Sequence, residues 1–433
     1  MNRRLTRRSA LGLGALGSLA LFTACSTGAG SGSGGGKGGK EGAMTLWYWP
    51  EGFDDKIIED VRKAFPDLGF SQAIQGGEFK QKLQTTLQAG SGLPDLTGIK
   101  GEDIAHFASV SDFFVDLNTL GAEKHKGEYV DWKWDQATTS DGKQLGIPID
   151  IGPTALFYRF DTFEKHGLPS DPEEVGKALT TWDEYIEFGK KLQAADPEIF
   201  MVRNLASIFG IAQRQSGKSF IDEKKNFIGD GDHVREAWDT VLKMKAAGIS
   251  AGLQSQTPDA AAAVAAGKMP ADPGASWHLA DLMADAPDTA GKWHVTTHPG
   301  AATNQGGSFL GIPAKTPNPE KAFEVILLIL NAENQAIEYV HSGNFPANLA
   351  AQKDERVTGA VEFLGGQHAG SVFAEAATKV RPIFEDPMDG TVSGPFYAEL
   401  ELVESSNKDP EQAWKDAVAE AKRLAEQNGI TVA

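Results

Sequence analysis

One cysteine, Cys25, is all the thiol this chain contains. That excludes an intramolecular disulfide and leaves the body of the protein without cysteine-based zinc or thiol chemistry. Basic residues are scarce beside acidic ones: 41 Lys and Arg against 59 Asp and Glu give a formal net charge of −18. Such a surface repels nucleic acid and anionic membranes, and no basic run offers a polyanion a local patch. No apolar run after the first 24 residues approaches the roughly 20 residues that cross a bilayer. Catalytic signatures are missing as well. Gly307-Ser308-Phe309 lacks the strand-to-helix setting of a G-x-S-x-G elbow, and there is no phosphate-cradling Walker sequence. The nine histidines are scattered. Only His294 and His298, four apart, have metal-like spacing, and in strand and loop that spacing does not place them on one helical face. A carboxylate pair for glycoside hydrolysis can always be picked from 59 acids, so no particular pair is informative.

What is present begins with a leader. Arg3, Arg4, Arg7 and Arg8 precede an apolar stretch at residues 10–24, which contains Gly12, Gly14 and Gly17 and is closed by Cys25. At about 15 residues it is too short for a permanent span and reads as a signal peptide over residues 1–24. Leu21-Phe22-Thr23-Ala24-Cys25 resembles a lipobox, which implies acylation of Cys25 and a lipid anchor. Thr6-Arg7-Arg8-Ser9-Ala10-Leu11 resembles a twin-arginine export signal. The plainer alternative is an ordinary secretory leader with an incidental cysteine. Residues 25–43 then read as a Gly/Ser linker with nothing large enough to bury, holding a folded body a short distance from a membrane.

The 433 residues exceed one ordinary core and suit two domains. From Met44 the texture changes to alternating strands and helices. Residues 45–49, 70–74 and 96–99 read as strands, and 54–65 and 78–89 as helices, which argues for a parallel sheet covered by helices. Ligands of such sheets lie outside the carboxyl ends of the strands, so Trp49-Pro50-Glu51 and Lys100-Gly101-Glu102 are candidate contact loops. At least one of Trp47, Tyr48 and Trp49 must face the core, and Trp49, nearest the loop, is the one placed to face a cleft.

The stretch at residues 141–161 reads as a hinge. Asp141-Gly142 signals a turn, residues 145–151 form a short edge-like strand around Pro148, and Gly152-Pro153 punctuates before a second apolar run at 154–160. Two strands with no helix between them suggest a crossing from one sheet to another, with Asp150 at the mouth of the enclosed cleft. Farther on, Thr181 and Glu184 form a capping box, and residues 233–247 an amphipathic helix. Residues 270–277, with Pro273-Gly274, deliver Trp277 to a surface. Residues 304–313 read as a return strand in which Gly306-Gly307 allows close backbone approach. Residues 374–433 read as helices separated at Arg381-Pro382, Asp386-Pro387 and Gly394-Pro395.

Sugars present apolar C–H faces and ringed hydroxyls, which aromatic rings and carboxylate, amide or arginine groups bind. Trp49, Trp277, Glu51, Glu102, Asp150 and Arg381 supply that chemistry, although each alone could be a packing ring, a solvated acid or a surface ion-pair member.

Asp141-Gly142-Lys143 with Gly146-Ile147-Pro148 and Tyr158, then Asp161 to Leu168 with Thr181-Trp182-Asp183-Glu184, Gly274-Ala275-Ser276-Trp277, and Gly306-Gly307-Ser308 occur in one order over nearly all of residues 44–425. This succession resembles the extracellular solute-binding proteins of ABC importers, of the carbohydrate-binding type similar to maltose-binding protein. Leu145 stands where that family usually has tyrosine, and Arg159 where asparagine is common.

The resemblance implies an α/β, two-lobed periplasmic-binding-protein fold (type II), with two α/β domains joined by a hinge of several crossings. The first lobe is expected at residues 44–151 plus 304–332, and the second at 152–303 plus 333–433. It implies a binding protein without catalytic activity or cofactor. Trp277 would stack on sugar, Gly307 and Ser308 would touch ligand, and Lys100 and Glu102 would contribute from their loop. The expected partners are a carbohydrate and the permease subunits of an ABC transporter, with the protein a monomer tethered outside the cytoplasm and binding no nucleic acid or metal. Two alternatives stay open. The same fold could take a polyol phosphate, a polyamine or a metal ion; the six tyrosines are too scattered for ferric capture. A secreted carbohydrate-active enzyme is the other.

Overall fold

Alternation of apolar and polar residues makes the first strand. In β1 (Met44–Tyr48), Met44, Leu46 and Tyr48 are buried while Thr45 and Trp47 are half-buried. The computed structural model describes residues 42–432 apart from 51 and 256. The expectations for the leader, Cys25, most of the tether and Glu51 lie outside the described residues. β2 (Phe70–Ile74) and β3 (Leu96–Lys100) flank β1 in parallel, with Met44 opposite Phe70 and Leu46 opposite Leu96. The crossovers are the helices Asp55–Ala64, whose N-terminus is capped by the Asp54 side chain, and Phe79–Ala89. Ile57, Ile58 and Val61 bury the helical stripe of the first one.

The chain then leaves this sheet through β4 (Gly146–Pro148), β5 (Asp150–Ile151) and β6 (Thr154–Arg159). It continues through β7 (Ala271–Ala275), β8 (Trp293–Thr296), β9 (Ser308–Gly311) and β10 (Phe345–Pro346). One sheet has the order β2-β1-β3-β9-β4, a second β7-β6-β8, and β10 pairs with β5. Pro148 therefore sits on an edge strand, where its missing N–H removes no interior ladder bond. β6 is buried along its whole length. Its alternation serves two cores: Ala155 and Phe157 join one cluster, Leu156 and Tyr158 the other. Burying side chains such as Phe157 and Leu156 contributes about 1.5–3 kcal/mol each.

The passage from the first sheet to the second and the return passage run side by side. The Gly152 N–H donates to Asn304 Oδ1 at 2.8 Å, and the Gln305 N–H donates to the Gly152 carbonyl at 2.9 Å. The result is the two-lobed α/β architecture of periplasmic binding proteins. The helix Trp182–Ala195 begins with the expected capping box, Thr181 and Glu184 each satisfying the other's backbone N–H.

One expectation is corrected. Gly394-Pro395 does not separate helices, because a single helix, Asp389–Ser405, runs through Pro395. An interior proline costs about 3 kcal/mol. The helix is held across the lost bond by Val392, Phe396, Leu400 and Val403, all fully buried. Phe396 packs edge-on to Trp414 with ring centres 5.5 Å apart. Among the described residues no helix is long and apolar enough to cross a membrane.

Candidate functional site

Strand register assembles the first wall of the site. β9 runs antiparallel to β3 and places Ser308 opposite Lys100. β4 on the other side of β9 continues to Ile149, whose N–H donates to the Ser308 carbonyl at 2.8 Å. Asp150 follows, and its Oδ1 accepts the Ser308 N–H at 2.8 Å. At the carboxyl end of β1, the rings of Tyr48 and Trp49 stack with centres 3.8 Å apart, and the Lys100 ammonium lies 5.8 Å from the centre of the Trp49 ring.

These groups surround a cavity of about 660 Å³, lined by Trp49, Lys100, Glu102, Asp150, Gly307 and Ser308 from one side and by Trp277 and Asp281 from the other. Seven of the residues singled out from the sequence are thus together. Arg381 is not among them. It is exposed and lines a separate cavity of about 350 Å³ with Thr154 and His298. Its irregular stretch follows the helix Ala369–Lys379, and the direction taken after that helix was not written in the local sequence.

Trp277 and Asp281 also border a second cavity of about 720 Å³, lined by Arg203, Arg214, Asp272, His278, Gln305 and Tyr397 among others. The two spaces meet at the tryptophan. Its indole N–H reaches the Gln305 carbonyl at 3.4 Å, and its ring centre is 4.4 Å from that of His278. Asp272 accepts from His278 Nδ1 at 2.8 Å and lies 3.5 Å from the Arg203 guanidinium. Burial pushes the Asp272 carboxyl up, but the facing His278 and Arg203 outweigh burial and hold it below the usual carboxylate range.

Behind the first cavity sits Lys133, fully buried. Its ammonium donates to Gln136 Oε1 at 2.9 Å and to the Gly306 carbonyl at 3.2 Å, and stands 4.3 Å from the centre of the Phe309 ring. Burial lowers it to about 8 against the pull of Asp150, Glu385 and Glu102. Burial likewise raises Asp150 to about 6, opposed by Lys133 and the Ser308 N–H. From Gln136 the polar chain continues, its amide donating to Glu385 at 3.1 Å, which also accepts from Arg214 at 2.6 Å. One hydrogen-bonded path therefore leads from the hinge to the second cavity.

Several polar groups on these walls have no protein partner. Glu102 and Asp281 make no ion pair or side-chain hydrogen bond among the described residues, and Arg203 Nε and Gln305 Oε1 are buried without one. Flat rings beside the unpartnered carboxylates of Glu102 and Asp281 form a surface for a ligand with both apolar faces and hydroxyls. Lys133, Arg203 and Arg214 carried no local signal of this role. His278 had one, its place directly after Trp277. Of the histidines with metal-like spacing, His294 stacks on Phe160 at 4.2 Å and His298 is hydrogen-bonded to Thr154 at 2.6 Å.

A family model described as bacterial extracellular solute-binding protein matches residues 68–364. The lactose-binding protein of Rhizobium radiobacter is 26% identical over 389 residues, covering 82% of this chain and 88% of that protein. The arabinooligosaccharide-binding protein of Halalkalibacterium halodurans is 23% identical over 282 residues, 62% of this chain and 61% of that one. A crystal structure of an extracellular solute-binding protein of family 1 superposes with a TM-score of 0.82 at 27% identity, covering 88% of this chain and 99% of the other.

Proposed function

The chain belongs to the bacterial extracellular solute-binding proteins, and on that premise we propose that it is a membrane-anchored receptor that binds a sugar or oligosaccharide between its lobes and delivers it to an ABC permease. The observation that carries this reading is the position of Trp277, a ring shared by two cavities of about 660 and 720 Å³ whose walls also carry the partnerless carboxylates of Glu102 and Asp281. An aromatic ring takes the C–H face of a pyranose or furanose, and Ser308, Glu102 and Asp281 are within the same walls for its hydroxyls. Two relatives whose names record lactose and arabinooligosaccharide binding support the ligand class.

Binding works through closure. A ligand touching both walls favours the closed arrangement by the contacts it makes only there, and a preference of a few kcal/mol suffices. The closed form is what a permease distinguishes from the empty one. Acylated Cys25 and the Gly/Ser linker keep the receptor at the membrane, and the chain acts as a monomer with no cofactor and no turnover of its own.

A thermal-shift screen of the purified protein tests the reading. Lactose, maltose and arabinotriose are compared with spermidine, glycerol 3-phosphate and divalent metal ions. A ligand bound only by the folded state adds about 2.7 kcal/mol at a hundredfold excess over Kd. A rise in Tm with a sugar and with none of the other classes is expected. A shift with spermidine or the phosphate alone sinks the sugar assignment, and release of cleaved sugar by the protein sinks the receptor assignment.

A further inference from the structure

β7 carries a glycine that its own backbone does not require. Gly274 is not in the left-handed region and sits inside the edge strand β7, paired with Ala155, where glycine weakens a strand. Space explains it. A Cβ at residue 274 would stand 2.3 Å from Cε1 and Nδ1 of His278 and 2.7 Å from its Nε2. The imidazole, at the start of the helix His278–Asp285, fills the space beside the strand where a side chain would otherwise be.

The same strand fixes the ring's rotation. Two residues before the glycine, the buried Asp272 faces Nδ1 at 2.8 Å, and Arg203 holds that carboxylate from the other side. An ionised carboxylate only accepts, so Nδ1 carries the proton. In the neutral imidazole the lone pair is then on Nε2. Nε2 has no hydrogen-bond partner among the described residues, and the residue lines the 720 Å³ cavity next to Trp277.

We propose that His278 is a specificity-determining residue of the second cavity, an acceptor locked in place by Asp272 and Gly274 that reads one hydroxyl of the sugar stacked on Trp277. This rests on the sugar-receptor reading and sharpens it. Trp277 supplies affinity for any sugar face, whereas a fixed acceptor beside it favours ligands with a hydroxyl at one ring position and disfavours those without. The partnerless Asp281 one helical turn on gives a neighbouring hydroxyl an acceptor.

The test has two arms on the full chain. In the first, long-range ¹H–¹⁵N NMR of the histidine rings assigns the His278 tautomer by comparison with H278F; a proton on Nδ1 alone is expected, and a proton on Nε2, with or without one on Nδ1, overturns the proposal. In the second, calorimetry measures lactose, maltose and arabinotriose, then singly deoxygenated forms of whichever binds best. The wild type is expected to lose roughly tenfold in affinity with one deoxy form in particular. H278F, which keeps a flat ring but no nitrogen, should bind the parent sugar about as weakly and no longer distinguish it from that deoxy form. Equal losses for H278F across all deoxy forms, or undiminished discrimination, overturn the role of His278 while leaving the receptor reading intact. Failure of all three sugars to bind overturns both.

Discussion

The Lys133 ammonium donates to the carbonyl of Gly306 at 3.2 Å, tying the helix Asp131–Gln136 to the returning passage of the chain 173 residues later. A fully buried ammonium is tolerable only with acceptors and an opposing charge close by. Gln136 and Gly306 supply the acceptors and Asp150 the charge. Asp150 in turn accepts the Ser308 N–H, so a single buried pair sets the positions of Gly306 and Ser308 on the cavity wall.

Breaking that pair should be costlier than removing it. K133M alone leaves the buried Asp150 without its counter-charge and is expected to lower the free energy of unfolding by about 3–5 kcal/mol, whereas D150N removes a charge that burial already disfavours and should cost less. The double variant should lose clearly less than the sum. Urea unfolding of the four proteins measures the coupling; additive losses would show that the two groups do not act as a pair.

The pH dependence follows from the same two groups. Asp150 is raised from 3.8 to about 6, so the native state holds its proton more tightly. Its contribution is full below about pH 4 and lost as pH rises through 6, a fall of about 3 kcal/mol. Lys133 is lowered from 10.5 to about 8, so its contribution is present above 10.5 and lost as pH falls through 8. The stability of the wild type relative to D150N should therefore decline between pH 4 and 6. A flat difference across that window would mean that Asp150 titrates normally.

Trp277 is only half-buried and its ring packs mainly against His278, so W277A should change Tm by no more than a few degrees. Sugar affinity should fall by about 1–3 kcal/mol, the value of a stacked ring and its buried area. Calorimetry with the sugar found in the screen decides. Undiminished affinity removes Trp277 from the site.

Gly307 has φ of +72°, and a Cβ there would come within 2.7 Å of the Asp150 carbonyl and 2.8 Å of the Lys133 ammonium. G307A combines left-handed strain with overpacking and should destabilise by about 2–4 kcal/mol. It should weaken sugar binding as well, since the Ser308 backbone must move. Native stability in this variant would show that the passage can yield.

The sequence by itself determined the elements and most of one wall. Period-two alternation specified β1, a capping box at Thr181 started a helix, and the punctuation at Pro148 and Gly152-Pro153 marked the change of sheet. These signals are local, and local backbone chemistry is what a short stretch can encode. Trp49, Lys100 and Glu102 were legible because they follow strand ends, where ligands of such sheets lie. What only the tertiary structure decided is which distant residues meet. Register placed Ser308 beside Lys100, the burial of one helical face put Lys133 under Gly306, and the path of the chain after Lys379 took Arg381 to a different cavity. Pro395 marked a break that the packing of Phe396 and its neighbours overrode. His278 stood in plain view beside Trp277, but its role depends on Asp272 across the turn and on the empty space above Gly274. Those distances exist only once strand and helix have packed, because each is set by the shape of a neighbour and not by the residue itself.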